Sequence, residues 1–277
     1  MNIKTILKDM LNDKELSELG RSFDTVGEIM ILSTQKSISK KEKKIGEVIL
    51  GHYKNIKVVA KWKGKTKGKT RIRKVEVISG DKRTETIHKE NNCRFKLDIN
   101  KTYFSPRLVS ERERIYKKVK KGEIIVDMFA GVGAFSVECA KNSNPKLIYS
   151  VDINRSAFKY LKENIKINKV EDKVIPILGN AKKITSELRK KGVKADRIIM
   201  NLPESSENFL KDALKISKNG TMIHFYHFLD SSDMYSKAEN WIKSLKAKAK
   251  IISKKTCGQR KPYEYRTCID FKVESDD

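Results

Sequence analysis

Hydrophobic and polar positions divide the chain into two regions with different patterns. Within the first hundred residues, "IKTILKDML" and "SKKEKKIGEVILGHY" have helical spacing, whereas "TVGEIMIL", "IKVVAKW" and "RKVEVIS" are typical of strands. The segment "TETIHKENNCRFKLDI" alternates like a hairpin that turns at Glu90, Asn91 and Asn92. This mixture predicts a smaller α+β domain over residues 1–98.

From about residue 122 onward, strand-like and helix-like segments alternate regularly. The predicted strands are "EIIVDMF", "KLIYSVDI", "VIPIL", "DRIIMNL" and "TMIHFYHF". The intervening segments "GAFSVECAKN", "SAFKYLKENIKINK", "AKKITSELRKK" and "ENFLKDALKIS" have helical periodicity. Alternation of this kind predicts a parallel sheet with helices on both faces, which we place over residues 99–277.

The end of the chain departs from this alternation. After "SKAENWIKSLK", two extended segments, "AKIISKKTC" and "YRTCIDFKV", follow without a long helix between them. Two strands that close a parallel sheet as a hairpin resemble the class I S-adenosylmethionine-dependent methyltransferase fold rather than the dinucleotide dehydrogenases. On that resemblance we expect an α/β fold with a Rossmann-like seven-stranded sheet.

Positive charge dominates the composition. Lysine and arginine total 61 against 35 acidic residues, a formal net charge of +26. Such an excess attracts polyanions, of which nucleic acid is the commonest inside cells, although a lysine-rich proteome also raises the lysine count. Residues 61–74, "KWKGKTKGKTRIRK", contain no acid, so they form either a solvated loop or a phosphate-binding arm. Trp62 within them offers a surface for base stacking.

Cysteine spacing and hydropathy argue against several other classes of protein. Cys93, Cys139, Cys257 and Cys268 lie far apart without a C-x-x-C pair, which indicates reduced thiols rather than a disulfide framework or a zinc site. No apolar run reaches the length needed to cross a bilayer, and the N-terminus lacks the apolar core of a signal peptide. We therefore expect a cytoplasmic protein without a membrane partner.

A glycine-rich turn follows the first strand of the second region, in "VDMFAGVGAFSVECA". Gly131 and Gly133 allow a ligand to approach the backbone closely, but alone they indicate only a tight strand-to-helix turn. Two acids favour a binding site. Asp127 ends the first strand, and Asp152 ends the second, where a carboxylate accepts hydrogen bonds from ribose hydroxyls.

The ligand of this turn is either a dinucleotide or S-adenosylmethionine. The dinucleotide fingerprint requires a third glycine where this chain has Ser136, and Asp127 would face a pyrophosphate. S-adenosylmethionine carries a cationic sulfonium and ammonium and no phosphate, so an acid suits it. The pattern therefore predicts an S-adenosylmethionine site, with Asn180 of "ILGN" at the adenine position.

Asn201 is expected directly after the fourth strand, in "RIIMNLPESS". Ligands of parallel α/β sheets bind at the carboxyl ends of the strands, so its side chain should face the methyl group. The amide can donate and accept along the edge of a base, although a lone asparagine is often a strand cap. His224 and His227 lie three residues apart on a predicted strand and point to opposite faces, so we predict no metal site.

Five segments in a fixed order identify a family. They are "TIHKENNCRFKLDINKTYFSPRLVSERERI", "IVDMFAGVGAF", "VDIN", "VIPILGNA" and "RIIMNLPESSENFL". Together they resemble the archaeal and eukaryotic tRNA (guanine-37-N1)-methyltransferases, from about residue 20 to the end of the chain. The resemblance implies methyl transfer from S-adenosylmethionine to N1 of guanosine 37 in tRNA, recognition of the anticodon stem-loop, and action as a monomer.

The resemblance also implies roles for individual residues. N1 of guanine is not a nucleophile until its proton leaves, so the reaction needs a base near N1 and a cation near O6. Glu111 of "SERER" matches the general base of the family, Arg71 the residue that stabilises charge on O6, and Asn201 the residue that holds the guanine edge. Tyr103 of "YFSPR" completes the catalytic set. The implied substrate contacts are Arg71, Tyr103, Ser105, Arg107 and Pro203. The implied cofactor contacts are Arg112, Asp127, Phe129, Gly131, Gly133, Asp152, Ile153, Asn180, Ala181 and Asn201.

The chain departs from the family pattern at several points. Ala134 replaces a proline after the second glycine, and Asn180 replaces an aspartate. Many members carry an additional N-terminal domain that contacts the outer corner of the tRNA, for which we expect this chain to be too short. The basic residues 61–74 are expected to compensate electrostatically.

Two other functions stay open at the level of sequence. One is a wyosine-pathway enzyme: aminocarboxypropyl transferases use the same fold and cofactor but lack "YFSPR" and "NLP" in this form, and a bifunctional methyltransferase also acts at position 37. The other is a non-catalytic RNA-binding module that retains the fold. The presence of Glu111 and Asn201 argues against that module.

Overall fold

The chain consists of two compact units. The computed structural model describes residues 3–19, 23–67, 72–233, 235–245 and 248–274. The first unit contains residues 1–89 and 94–106, and the second contains residues 90–93 and 107–277. The predicted domain boundary between residues 98 and 99 stays a prediction.

The described part of the first unit combines short helices with two small sheets. Its helices are α1 (Ile3–Ile6), α2 (Asp13–Glu18) and α3 (Glu42–His52), with a 3₁₀ helix at Lys36–Lys41. Its strands are β1 (Asp24–Val26), β2 (Ile29–Leu32), β3 (Val58–Lys67), β4 (Ile72–Gly80), β5 (Glu85–Glu90) and β6 (Cys93–Asp98). Strands β1 to β4 form one sheet in sequence order, in which only β2 and β3 are parallel, and β5 pairs with β6.

Helix α3 supplies much of the core of the first unit. Its buried face carries Ile45 and Ile49, which cluster with Leu7, Met30 and Val59. Burial of this apolar face stabilises a short helix more than helix propensity does. The predicted α+β character of this region is confirmed.

The prediction that "TVGEIMIL" forms a single strand is wrong, because the segment forms two strands. Strand β1 turns at Gly27 into the antiparallel strand β2, with Val26 opposite Ile29. Gly27 has a φ of +57°, and a Cβ atom there would lie 2.4 Å from Thr86 Oγ1 and 2.5 Å from Ile87 O. Only glycine fits both the left-handed backbone and this close approach.

The second unit has the alternating order expected from the sequence. Its strands are β7 (Ile124–Asp127), β8 (Leu147–Asp152), β9 (Val174–Leu178), β10 (Ala195–Met200), β11 (Ser217–Asp230), β12 (Lys248–Lys261) and β13 (Glu264–Glu274). Its helices are α4 (Val109–Tyr116), α5 (Ala134–Asn142), α6 (Arg155–Asn168), α7 (Ala181–Lys190), α8 (Leu210–Lys215) and α9 (Ser236–Lys243). Short 3₁₀ helices lie at Pro106–Leu108, Ser206–Phe209 and Ser231–Asp233.

These strands form one seven-stranded sheet in the order β12-β13-β11-β10-β7-β8-β9. Strands β7 to β11 pair in parallel, whereas β13 is antiparallel to both β11 and β12. Buried aliphatic side chains of β10, including Ile198 and Met200, pack in the core cluster with α7 and α8. The parallel sheet and the closing hairpin are both confirmed.

Helix hydropathy and thiol state are two further features of the described residues. The described helices include none that is both long and apolar enough to span a membrane. All four cysteines are free thiols, and three of them, Cys93, Cys139 and Cys268, are buried.

We expect Gly27→Ala to lower the free energy of unfolding by about 1–3 kcal/mol, because the new Cβ requires a strained backbone and meets the Ile87 carbonyl. Gly51, in α3, has nothing within 4 Å of its Cβ position. Gly51→Ala should therefore raise the free energy by up to about 1 kcal/mol. Urea unfolding of both variants measures the contrast, and equal effects would contradict our account of the β1–β2 turn.

Candidate active site

Polar side chains lie where four neighbouring parallel strands end. Asp127 and Asp152 are the last residues of β7 and β8, Asn201 directly follows β10, and Asn180 lies just beyond β9. In register, Asp127 is opposite Ile199 of β10, and Asp152 is opposite Leu178 of β9. Parallel pairing places these ends at one edge of the sheet, where ligands of such folds bind.

The glycine-rich turn between β7 and α5 is fixed to the end of β8. The Gly131 N–H donates to Asp152 Oδ2 (2.7 Å), and the Ala130 N–H donates to the Val151 carbonyl (2.8 Å). Gly131 and Gly133 have φ values of +59° and +91°. A Cβ atom at Gly133 would lie 2.6 Å from Leu161 Cδ1, so the turn packs directly against α6.

Asp127 lies completely buried beneath this turn. Its Oδ2 accepts from Ser136 Oγ (2.8 Å), and its Oδ1 lies 3.4 Å from the Phe129 N–H. Burial raises the pKa of Asp127 to about 7, although these hydrogen bonds oppose the shift. The carboxyl therefore stabilises the turn by accepting hydrogen bonds within the protein. A cation bound at the edge of the sheet would favour the ionised form of this carboxyl.

Asp152 is held at the edge by backbone donors. Besides Gly131, the Asn154 N–H donates to Oδ1 (2.7 Å), and burial raises the pKa of this carboxyl. Each carboxylate oxygen has a second lone pair, so both can still accept from hydroxyls. The next residue, Ile153, has 53% of its surface exposed. An exposed isoleucine beside a polar edge provides an apolar surface for a flat ring.

Asn180 begins helix α7 and is exposed. Its Oδ1 accepts from the Lys182 N–H (2.9 Å), which is a helix N-cap hydrogen bond. Ala181, the first helical residue, is buried. The cap occupies the amide oxygen, so the exposed amide nitrogen is the group left to face a ligand.

The segment after β10 forms a compact turn around buried Ser206. Ser206 Oγ lies 2.9 Å from the carbonyl oxygens of both Met200 and Leu202. Pro203 is buried, and its carbonyl accepts from the Phe228 N–H (3.0 Å). Asn201 is half-buried at the start of this turn. Nearby, Phe209 packs edge-on against Phe129 with ring centroids 4.9 Å apart.

Glu111 faces inward from α4, not outward as an ordinary surface charge. It is 5% exposed and forms a two-point ion pair with Arg114, which donates from Nε to Oε2 (2.7 Å) and from Nη2 to Oε1 (2.7 Å). The buried Tyr226 hydroxyl donates to Oε1 (2.6 Å). Phe225 is paired with Met200, so Tyr226 and Asn201 are the next residues on neighbouring parallel strands. Tyr226 thus links Glu111 to a strand that runs beside Asn201.

Arg112 lies on the same helix but has other partners. It is 2% exposed, and it forms ion pairs with Glu90 (2.6 Å) and with Glu138 of α5 (3.0 Å). Burial raises the pKa of Glu138 to about 8, while Arg112 and the Asn91 amide lower it. These carboxylates satisfy a buried guanidinium that would otherwise be costly. The predicted cofactor contact of Arg112 stays a prediction.

A buried polar cluster beside Glu111 has the residue types of a metal site. The ligand atoms of His224, Cys268 and Asp270 lie within 4.8 Å of one another. Asp270 already accepts from Arg114 (2.6 Å) and Lys118 (2.7 Å). His224 Nε2 lies 2.7 Å from Arg197 Nη1, which can only donate, so Nε2 accepts and Nδ1 donates to Asp270 (2.6 Å). The cluster is therefore neutralised by cations of the protein itself.

The two histidines of the H-x-x-H segment have separate partners. His224 lies against Asp270, whereas His227 Nε2 lies 3.2 Å from Glu207 Oε2. The prediction that this segment holds no metal stays a prediction.

Four further predicted site residues are Arg71, Tyr103, Ser105 and Arg107. Arg71 is outside the described residues. Tyr103 and Ser105 are half-buried in the first unit, and Arg107 is an exposed residue of the second unit. The roles of all four residues stay predictions.

Sequence reasoning missed Arg114, Tyr226, Ser206 and Asp270. Arg114 lies three residues after Glu111, a spacing that places both on one face of a helix, and this was a usable signal. Tyr226 and Asp270 belong to strand segments in which a polar residue reads as an outward position. Their contacts depend on the order of strands in the sheet, which no local pattern contains.

The residues at the edge of the sheet fit S-adenosylmethionine chemically. A sulfonium and an ammonium suit the buried carboxyl of Asp127 below the turn, and ribose hydroxyls suit the acceptor positions left on Asp152. The exposed side chain of Ile153 suits the apolar face of adenine.

Comparison with known proteins identifies the family of both regions. The model of the TRM5/TYW2 methyltransferase domain matches residues 86–253, and that of the TYW2 N-terminal domain matches residues 3–84. The tRNA (guanine(37)-N(1))-methyltransferase Trm5b of Pyrococcus abyssi is 42% identical over 92% of this chain and 76% of its own length.

Solved structures agree with this assignment. The complex of aTrm5 and tRNALeu superposes with a TM-score of 0.85 at 39% identity, over 99% of this chain and 78% of that one. Methanocaldococcus jannaschii Trm5 in complex with adenosine superposes with a TM-score of 0.83 at 37% identity, over 99% and 78% of the two chains. The sheet order, the motifs at its edge and these similarities agree, and the chain belongs to the TRM5/TYW2 methyltransferase family.

Proposed function

We propose that this chain transfers the methyl group of S-adenosylmethionine to N1 of guanosine 37 in tRNA. The observation that carries the proposal is the buried carboxylate of Glu111, which Tyr226 ties to the strand beside Asn201. The Pyrococcus abyssi relative is named for this reaction, and a related structure contains tRNALeu. A buried carboxylate beside the ligand-binding edge is the group that removal of a proton from guanine N1 requires.

The catalytic residues have complementary tasks. Glu111 accepts the N1 proton, so that the N1 lone pair becomes available for attack on the methyl group. Negative charge then develops on O6, and we assign its stabilisation to Arg71. Asn201 donates and accepts along the guanine edge from the end of β10, and the Ser206 hydrogen bonds keep its turn rigid. Tyr103 is assigned to the catalytic set from its motif.

S-adenosylmethionine supplies an electrophilic methyl group when it is bound. Asp152 would hold the ribose hydroxyls, Ile153 and Ala181 would contact the adenine face, and the Asn180 amide nitrogen, whose oxygen partner already caps α7, would donate to the ring. The Gly131 and Gly133 turn would let backbone approach the methionine portion closely, and Phe129 would border it. We assign Asp127 an electrostatic role from beneath the turn, and Arg112 the task of anchoring α4 to α5.

The first region supplies RNA binding in this proposal. Residues 1–98 would form an RNA-binding domain, whose basic residues 61–74 contact phosphates of the anticodon stem-loop. Ser105, Arg107 and Pro203 are assigned contacts with the nucleotides around position 37. The proposed catalytic residues all come from one polypeptide, so a monomer suffices. A tRNA substrate agrees with the expected cytoplasmic location, which stays a prediction.

One observation favours a second candidate in the same pathway. The match of residues 3–84 is to an N-terminal domain named for TYW2, the other branch of the family. In this second candidate function, the chain would transfer the aminocarboxypropyl arm of S-adenosylmethionine to a wyosine precursor at position 37 of tRNA. The two reactions leave different groups on tRNA, so product analysis separates them.

We expect N1-methylguanosine from an unmodified tRNA transcript with guanosine 37, and none from a transcript with adenosine there. Glu111→Gln should lower the rate by about 10²–10⁴-fold, because the amide cannot accept the proton. Glu113→Gln is the matched control, since the Glu113 side chain lies on the same helix, is 40% exposed and forms a surface ion pair with Lys117 (2.7 Å). Its rate should stay within about twofold of wild type.

Nucleoside mass spectrometry of the digested transcripts identifies the product. An aminocarboxypropyl adduct on a wyosine-precursor tRNA, without methylation of guanosine 37, would support the second candidate instead. Cofactor binding without any transfer would point to the non-catalytic RNA-binding module.

We expect Asp127→Asn to stabilise the free protein, relative to wild type, increasingly as the pH rises from about 4 to 7 and by a constant amount above that. The pKa of Asp127 is raised to about 7 by burial, so the folded wild type loses stability as the pH climbs from the ordinary carboxyl pKa toward 7. The amide avoids this loss, and the difference in melting temperature should vanish near pH 4. The same variant should bind S-adenosylmethionine about tenfold more weakly by calorimetry, since the negative charge below the turn is gone. A pH-independent difference in melting temperature would contradict this electrostatic role.

We expect tRNA affinity to fall steeply with salt, by about 10³-fold between roughly 50 and 200 mM if some six phosphates are contacted. The physical reason is release of counterions when lysine and arginine neutralise phosphates. Filter binding or fluorescence anisotropy across this range gives the slope. A flat salt dependence would count against tRNA as the substrate.

A further inference from the structure

The carboxylate of Glu111 has one acceptor position that its arginine and tyrosine donors do not fill, and the Cys257 thiol, a weak donor, also lies within hydrogen-bond reach of this carboxylate. Oε1 accepts from Arg114 Nη2 and from the Tyr226 hydroxyl, and Oε2 accepts from Arg114 Nε. A carboxylate offers roughly four lone-pair positions, so these donors fill about three. The position that neither donor fills is on Oε2. Burial raises the pKa of Tyr226 well above its usual range, so its hydroxyl stays protonated and remains a donor.

Arg114 is itself fixed from the opposite side by Asp270 of β13. Its Nη1 donates to Asp270 Oδ2 (2.6 Å), and its Nη2 lies 3.2 Å from Oδ1. Asp270 also accepts from Lys118, His224 and Ser253 at 2.6–2.8 Å. Although burial alone would raise it, hydrogen bonds from His224, Arg114 and Lys118 hold the pKa of Asp270 well below its usual range. The guanidinium is therefore clamped between two carboxylates.

Two carboxylates share the Arg114 guanidinium. Arg114 forms ion pairs with Glu111 (2.7 Å) and with Asp270 (2.6 Å), so its positive charge is divided between them. The two-point geometry meanwhile restricts rotation of the Glu111 side chain.

We propose, on the basis of the function above, that Arg114, Tyr226 and Asp270 are positioning residues for Glu111. Arg114 and Tyr226 orient the carboxylate so that Oε2 presents its open lone pair to the N1–H of guanine. Asp270 holds Arg114 in place and shares its positive charge with Glu111. None of the three needs to touch the substrate.

The charged and titratable groups around Glu111 determine in which direction each substitution should shift the pH profile of methyl transfer. They are Arg114 and Lys118 following α4, Tyr226 and His224 of β11, Cys257 of β12, and Cys268 and Asp270 of β13. Burial first, and the Glu111 charge second, raise the pKa of the Cys257 thiol, so this neighbour stays neutral. Removing a donor to Glu111 makes it more basic, whereas removing Asp270 leaves it alone with Arg114 and makes it less basic.

The test is the pH dependence of single-turnover methyl transfer to a tRNA transcript with guanosine 37. Tyr226→Phe should move the acid limb of the profile to higher pH by about one unit, and Asp270→Asn should move it to lower pH. Arg114→Lys keeps the charge but loses the two-point geometry. Its kcat should fall about 100-fold, while KM for tRNA and for S-adenosylmethionine stays within about threefold.

Lys117→Met is the matched control, since Lys117 is exposed at the end of the same helix. Its profile should coincide with that of wild type. Opposite shifts of the acid limb in Tyr226→Phe and Asp270→Asn would support the positioning role. Partial unfolding of a variant would lower kcat, but it would not move the limb to higher pH in one variant and to lower pH in the other. Melting curves check that each variant folds. If Asp270→Asn does not fold, the shift in Tyr226→Phe and the kcat loss in Arg114→Lys decide the matter.

Two results would overturn the positioning role while leaving the proposed function intact. One is a wild type that methylates guanosine 37 while the acid limb stays unchanged in Tyr226→Phe. The other is a rise in KM at constant kcat in Arg114→Lys, which would indicate a binding role. A wild-type chain that transfers no methyl group to guanosine 37 would instead overturn the proposed function, and the positioning role with it.

Discussion

Parallel pairing of β7, β8, β9, β10 and β11 is the constraint on which the second unit depends. Each of these strands runs in the same direction, so their carboxyl ends meet at one edge. That edge gathers Asp127, Asp152 and Asn201 from positions far apart in the chain. The chemistry of the site is therefore a consequence of strand direction, and the loops after each strand only refine it.

Buried charge is the second organising feature of this unit. The Glu111–Arg114–Asp270 group and the Glu90–Arg112–Glu138 group both place a guanidinium between carboxylates inside the protein. Buried ion pairs contribute little net stability, but removal of one partner is strongly destabilising. Their value here lies in orientation. One pair fastens α4 to α5, and the other sets the direction of the proposed base.

The residues of α4 show how one short helix serves two purposes. In "SERER", Glu111, Arg112 and Arg114 face inward, whereas Glu113 is 40% exposed and pairs with Lys117 at the surface. Without the fold, the alternation of glutamate and arginine is typical of a solvated helix surface. The closing hairpin of β12 and β13 changes this, because it brings Asp270 beneath the helix.

Local patterns in the sequence determined most of the architecture of the second unit. Apolar periodicity, the acids at strand ends and the two turn glycines act over a few residues, and these alone predicted the parallel sheet and its binding edge. The β1–β2 turn was missed, because the need for glycine at position 27 comes from Thr86 and Ile87, which approach it from another part of the chain. For the same reason, only the tertiary structure decided the distant partners of Glu111 and Arg114. Tyr226 and Asp270 lie more than a hundred residues away, and hydrogen bonds over such separations depend on which strands become neighbours, which local periodicity does not encode.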